Sequence, residues 1–274
     1  MINTHVLRYN NDYKLPNRFL PMIKGASIKF NSYAESVPKL LGLLKVHNEL
    51  KKYDKIVLKP TIKDENNFTP IGFIEAILQF CMNNKNPVAE VFIAEGADGY
   101  DTTELFESVG YQTLAEKYSV GLIDLNSTET EEMINANFLK FEKILYPKIL
   151  LQSCVISLPY LKEDAETEIN DSVSNMLGAF PAQHYSGFFS LKKNKIRKWP
   201  IKYSIHDILH CKMPNFAVVD ASTFGYILAG LPLDIDKQAV RFFNRDWKSV
   251  AHLKLLSESF SSPKKASEDM TIAE

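Results

Sequence analysis

The sequence predicts an α/β protein: a mostly parallel, Rossmann-like sheet flanked by helices, with a less regular second α/β half. Three observations carry this. First, short apolar runs recur at 55–59 (KIVLK), 90–95 (EVFIAE), 120–125 (VGLIDL), 154–158 (CVISL) and 216–220 (FAVVD). They have the length of buried strands and are too short for buried helices. Second, segments with helical spacing lie between the first three runs, and that alternation argues for parallel pairing through right-handed crossovers. Third, charged residues close several of the runs, at the edge where open α/β sheets place their ligands.

In chain order, a short strand is expected near residues 26–30. Val37, Leu40, Leu41 and Leu44 then recur at helical spacing. The strand at 55–59 stops at Pro60. Thr69 before Pro70 reads as a helix start, the hydroxyl capping and the proline taking a position whose N–H has no partner. Ile71, Ile74, Leu78 and Cys81 form the inward face of that helix. After the strand at 90–95, Asp101 with Glu104 forms an acidic variant of the capping box, and Gly110 suits the left-handed position that ends the helix. The second half is expected to hold a strand at 138–145, a short helix or turn at 146–152, and strands at 154–158, 216–220 and 225–229. Helices are expected at 205–210, 236–243 and 249–260. Residues 160–201 show no strong period, and connections of that length are usually functional or mobile.

Bulk properties set the frame. At 274 residues with 45% hydrophobic content, the chain can bury a substantial core. We expect an N-terminal segment and first helix (1–54), one α/β domain (55–260) with sub-lobes divided near 127–150, and a disordered polar tail (261–274). The net charge of −1 gives no broad footprint for nucleic acid or for a membrane surface. Cys81, Cys154 and Cys211 are widely spaced, which excludes a self-contained four-cysteine iron–sulfur or zinc module and fits a reducing, cytoplasmic setting.

Candidate chemistry gathers at the strand ends. Lys59, Glu95, Asp124, Lys162 and Asp220 all fall there, and lysines mixed with carboxylates can hold an anion and move protons. The loop 96–103 (GADGYDTT) matches no nucleotide-binding pattern, and Asp98 and Asp101 would repel phosphate. His206 and His210 stand four apart on a helix, a spacing that can aim two imidazoles at one metal ion, with no third ligand nearby in sequence. The basic run Lys192, Lys193, Lys195, Arg197 and Lys198 faces an acidic run of Glu163, Asp164, Glu166, Glu168 and Asp171. The simplest reading of the two is a mutually compensating surface rather than a nucleic-acid site.

Several of these segments together resemble the family catalogued as domain of unknown function 362. Val57, Leu58, Lys59 and Pro60 resemble its VKPN segment, with Thr61 in place of asparagine. Glu95–Gly96, Leu105–Phe106–Glu107, Gly110–Tyr111 and Leu114–Ala115 resemble its EG…FE..GY..LA run. Residues 156–162 resemble ISLPKLK, and residues 174–181 resemble KNMLGAFP, with Ser174 for lysine and Asn175 kept. Where the family continues with Thr-His, this chain has Glu163 and Asp164. The resemblance implies an α/β fold with a site at the strand ends, and no established reaction. Many members carry a ferredoxin-like cysteine module that this chain cannot form, so no iron–sulfur cluster is expected. The organisation is also distantly similar to the lactate racemase family, whose members are enzymes.

Two functions are expected on this basis. In one, a small anionic ligand or metal binds at the strand ends: Lys59, Lys162 and Asn175 bind the ligand, Glu95 and Asp220 act in acid–base roles, and Asp164, His206 and His210 are metal ligands. In the other, the chain is a catalytically silent interaction module that works through residues 160–201.

Overall fold

The structure, a computed structural model, describes residues 25–261. Residues 1–24 of the expected N-terminal segment and 262–274 of the expected tail lie outside the described residues, and Ser261 ends the last helix. The strands are β1 (Gly25–Lys29), β2 (Lys55–Pro60), β3 (Ile62–Asp64), β4 (Asn67–Phe68), β5 (Glu90–Glu95), β6 (Gly121–Asp124) and β7 (Thr130–Met133). They continue with β8 (Ile144–Pro147), β9 (Cys154–Leu158), β10 (Lys162–Asp164), β11 (Glu168–Asn170), β12 (Phe216–Ala221) and β13 (Tyr226–Gly230). The helices are α1 (Tyr33–Leu43), α2 (Val46–Leu50), α3 (Ile71–Asn84), α4 (Thr102–Ser108) and α5 (Tyr111–Tyr118). Further on come α6 (Lys148–Leu151), α7 (Ala182–Tyr185), α8 (Lys202–Cys211), α9 (Pro232–Ala239) and α10 (Ala251–Ser261).

Seven strands form the central sheet in the order β1-β13-β12-β9-β2-β5-β6. The pairs β12–β9, β9–β2, β2–β5 and β5–β6 are parallel. Strand β13 runs antiparallel because the chain returns through the short turn Ser222–Phe224 and Gly225 (φ 79°), with no room for a crossover helix. The apolar runs are explained by cores on both faces. On β2, Ile56 and Leu58 enter one cluster with α1, α3, α4 and α5, while Val57 enters the other with α8 and α10. On β9, Cys154, Ile156 and Leu158 join the first cluster and Val155 the second. Burying both faces of a strand is what removes the polar alternation from its sequence.

Three local expectations are corrected. The strand at 138–145 lies instead at Ile144–Pro147, where it forms a ribbon with β7, and the helix follows at once. Thr69 does not cap α3: its hydroxyl donates to Leu158 O (2.7 Å) and accepts from Thr61 N–H (3.0 Å), tying the ends of β2 and β9 together. Gly110, at φ 85°, ends α4 as expected, but the chain starts a new helix there, with Tyr111, Leu114 and Ala115 buried. Asp101 caps α4 as anticipated, accepting from the N–H groups of Thr103 and Glu104. The connection at 160–201 is a chain of short pieces: the β10–β11 hairpin, a 3-10 turn at Ser174–Ala179, α7, and a second turn at Asn194–Arg197.

Sheet order positions the site. From β2 the chain moves outward through β5 to β6, then returns to the other side of β2 with β9 and β12. The reversal therefore falls between β2 and β9, and the crevice beyond their carboxyl ends is where such sheets hold ligands. In register, Lys59 lies opposite Ser157 and Glu95 opposite Asp124.

Candidate functional site

Lys59 and Glu95 emerge from neighbouring strand ends into a space closed by the turn Ser174–Ala179. Both are buried. The Lys59 ammonium donates to Glu95 Oε1 and Oε2 (3.0 Å each), to the Asn175 carbonyl (2.8 Å) and to Asn175 Oδ1 (3.2 Å). Burial pushes the Lys59 ammonium below its ordinary range, and Glu95 opposes that shift. Glu95 Oε1 also accepts the Gly96 N–H at 2.7 Å. Asn175 spans the β2/β9 crevice: its Nδ2 donates to Lys59 O (2.9 Å) and Ser157 Oγ (3.0 Å), and its Oδ1 accepts from Thr61 Oγ1 (2.9 Å). Lys59 and Asn175 thus spend their donors inside the protein, fixing Glu95 and the turn above it.

Two glycines make this closure geometrically feasible. A Cβ on Gly178 would stand 2.0 Å from Glu95 Oε1 and 2.7 Å from Lys59 Nζ. A Cβ on Gly96 would stand 2.4 Å from the Gly178 carbonyl oxygen. The backbones at 96 and 178 therefore approach each other directly over the ion pair, which only residues without a side chain allow.

A cavity of about 290 Å³ opens in front of the pair, lined by Thr61, Glu95, Gly96, Asn170, Asn175, Gly178 and Lys193 among others. Lys193 is 1% exposed. Its ammonium donates to the carbonyls of Gly96 (2.7 Å) and Gly178 (3.3 Å) rather than to a carboxylate, and its N–H donates to Asp98 Oδ1 (2.7 Å). Burial pushes it down to about 7, with Glu95 and Asp98 resisting. Three ion pairs flank the cavity: Lys63 with Asp164, and Arg197 with both Glu166 (2.6 Å) and Asp98 (2.5 Å). Burial raises Asp164, but the Lys63 ammonium and the donors of Thr167 outweigh it and hold the carboxyl at about 2. The basic and acidic runs are therefore only partly a compensating surface. Arg197 and Glu166 meet across them, whereas Lys193 turns inward and Asp171 is buried against His252 (2.7 Å).

Of the residues singled out from sequence, Glu95, Asn175 and Asp164 line the cavity and Lys59 lies against Glu95. Lys162 and Asp220 are not among its lining residues. Lys162 donates to Asn67 Oδ1 (2.5 Å) and sits over the Tyr160 ring, and Asp220 accepts from Tyr33 OH (2.8 Å) and the Ser222 N–H (3.0 Å). His206 and His210 lie on α8, within the core on the opposite side from α3, and His206 is buried. Asp164 therefore works with Lys63, not with the histidines, and among the described residues no group of three or more His, Cys, Asp or Glu side chains could hold a metal ion. Lys193 escapes sequence reasoning because nothing local separates it from the four other cations in its run.

A mostly parallel sheet flanked by helices, with buried charged residues at its topological switch point, defines an α/β protein. The chain belongs to the family described as Domain of unknown function (DUF362), whose profile matches residues 34–226. The matched span includes Lys59, Glu95–Gly96 and Asn175–Gly178, which build the ion pair and its closure. Among solved structures, the chain is similar to the lactate racemase apoprotein from Thermoanaerobacterium thermosaccharolyticum. The TM-score is 0.52 at 13% sequence identity, covering 81% of this chain and 57% of that one. That likeness concerns the fold, and this chain spans little more than half of the other's length. No curated protein matches the sequence. Among the described residues no helix is long and apolar enough to cross a membrane.

Proposed function

We propose that the cavity binds a small anionic molecule, with Lys193 supplying the recognising charge and Glu95 the proton-transfer group. Lys59 and Asn175 act as positioning residues. The observation that carries this reading is Lys193, a buried ammonium lining a cavity at the β2/β9 crevice and held there by carbonyls alone. Buried lysines of this kind cost stability and are retained where their charge is used. An arriving anion would restore the proton that burial discourages. Affinity should therefore be strongest below about pH 7 and fall as pH rises through the Lys193 pKa.

The test is thermal stabilisation by a panel of small carboxylates and inorganic phosphate at pH 6 and pH 8.5. Wild type should respond, more at pH 6, and Lys193→Met should fold but not respond. Equal responses from the two proteins would remove Lys193 from the site. The same variant reports on stability. Lys193 is pushed below its unfolded value, so between about pH 7 and 10 the unfolded chain binds more protons and stability rises with pH. Relative to Lys193→Met, wild type should gain about 2 kcal/mol between pH 7 and pH 9, read from denaturant midpoints.

A second reading, a binding module using residues 160–201, is favoured by one observation. Phe188 and Phe189 are 95% and 96% exposed at a loop tip. Adjacent exposed aromatics of this kind mark contact sites. Replacing both by serine should change stability by less than about 0.5 kcal/mol. A loss above about 1 kcal/mol would mean that the rings pack within the folded chain, and would end this reading.

A further inference from the structure

On the other side of the sheet from α3, helix α8 presents His206 and His210, and the last turn of α10 lays Ser259 across them. His206 Nε2 lies 3.2 Å from His210 Nε2 and 3.0 Å from Ser259 Oγ, and His210 Nε2 lies 2.9 Å from the same oxygen. Three polar atoms from two helices thus meet in one triangle. Asp207 fixes the His206 ring. It is fully buried, its carboxylate accepts the N–H groups of Leu139, Lys140 and Phe141, and it contacts His206 Nδ1 at 2.7 Å.

A carboxylate placed on Nδ1 accepts the proton of that nitrogen, which leaves the Nε2 lone pair for another partner. Nε2 then turns a lone pair toward His210 and Ser259. His206 Nε2, His210 Nε2 and Ser259 Oγ each lie within 3.2 Å of the other two. A cation would satisfy all three lone pairs at once.

We propose that His206, His210 and Ser259 form a binding site for a divalent transition-metal ion, zinc by its two imidazoles, with Asp207 orienting His206 and water completing the shell. Ligands bonded to zinc at about 2.0–2.1 Å in a tetrahedron stand about 3.3 Å apart, close to all three edges of this triangle. The ring centroids, 4.4 Å apart, would separate slightly as both lone pairs turn to one ion. A carboxylate on the second nitrogen of a ligating histidine is the usual outer partner of such sites. His210 and Ser259 are half-buried, which leaves an approach for the ion and a water. Imidazole ligands suit zinc better than magnesium or calcium.

The test is calorimetric titration of the chelator-stripped full chain with zinc chloride at pH 7.5, together with its zinc-dependent thermal shift. Wild type should bind one ion per chain at this site. His210→Gln and Ser259→Ala should each weaken binding about tenfold or more while melting normally without zinc. Absence of binding in wild type, or unchanged binding in both variants, would overturn the proposal. Should His210→Gln fold poorly, the half-buried Ser259→Ala decides the matter alone, and unchanged affinity there would overturn it.

Discussion

Replacing Lys59 by methionine is expected to destabilise the protein by about 3–5 kcal/mol, because it leaves the Glu95 carboxylate buried without its partner. The loss should exceed that of any exposed ion pair in the chain, such as Lys143–Glu132, whose removal is expected to cost less than about 1 kcal/mol. Desolvation of the charges accounts for the difference. The Lys59 ammonium is surrounded by Glu95 and two oxygens of Asn175. Combining Lys59→Met with Glu95→Leu should recover much of the loss, since a buried pair exchanged for apolar side chains is often neutral. Urea midpoints of the two single variants and the double variant measure this directly. A double variant no more stable than Lys59→Met alone would mean that the loss comes from packing rather than from the stranded charge.

The second large effect is expected at the paired glycines. Gly96→Ala drives a methyl into the Gly178 carbonyl, a backbone atom that cannot rotate away, so the turn Ser174–Ala179 must lift. Gly178→Ala presses on Glu95 Oε1, a carboxylate already pinned by Lys59 and the Gly96 N–H. Each should cost about 1–3 kcal/mol as overpacking, with Gly96→Ala at the upper end. Both should also abolish the response to anions, because Lys193 hangs from the carbonyls of these same two residues. An alanine variant that kept both wild-type stability and the anion response would show that the strand-end closure is looser than these distances imply. Gly42, whose added Cβ meets nothing within 4 Å, provides the control.

The sheet was legible because its strands are buried on both faces. Lys55–Pro60, Glu90–Glu95 and Cys154–Leu158 feed the same two cores, Phe216–Ala221 feeds the first of them and a third smaller one with Leu228 and Ile235, and an unbroken apolar run is the direct record of burial on both faces. Glu95 and Lys59 could be picked out because a charge that ends such a run has few places to go except the strand-end crevice. Helix Tyr111–Tyr118 was missed although its signal is present: Tyr111, Leu114, Ala115 and Tyr118 keep helical spacing after Gly110. Lys193 and Ser259 were not legible at all. Each does its work by reaching a distant segment, Gly96 and Gly178 in one case and α8 in the other, and nothing in the local sequence marks that meeting. The roles of Lys59 and Asn175 also depend on partners, because sequence shows a donor but not whether the fold has already used it.

Lys193 as a buried cation awaiting an anion is tested most directly by NMR titration of its side chain. With lysine side chains labelled at Cε and the Lys193 signal assigned by Lys193→Arg, the free protein should titrate at about 7. Addition of a stabilising carboxylate or phosphate should raise that midpoint by a unit or so, about 1.4 kcal/mol of linked binding. A Lys193 signal that titrates near the ordinary lysine value and ignores every anion in the panel would contradict the account.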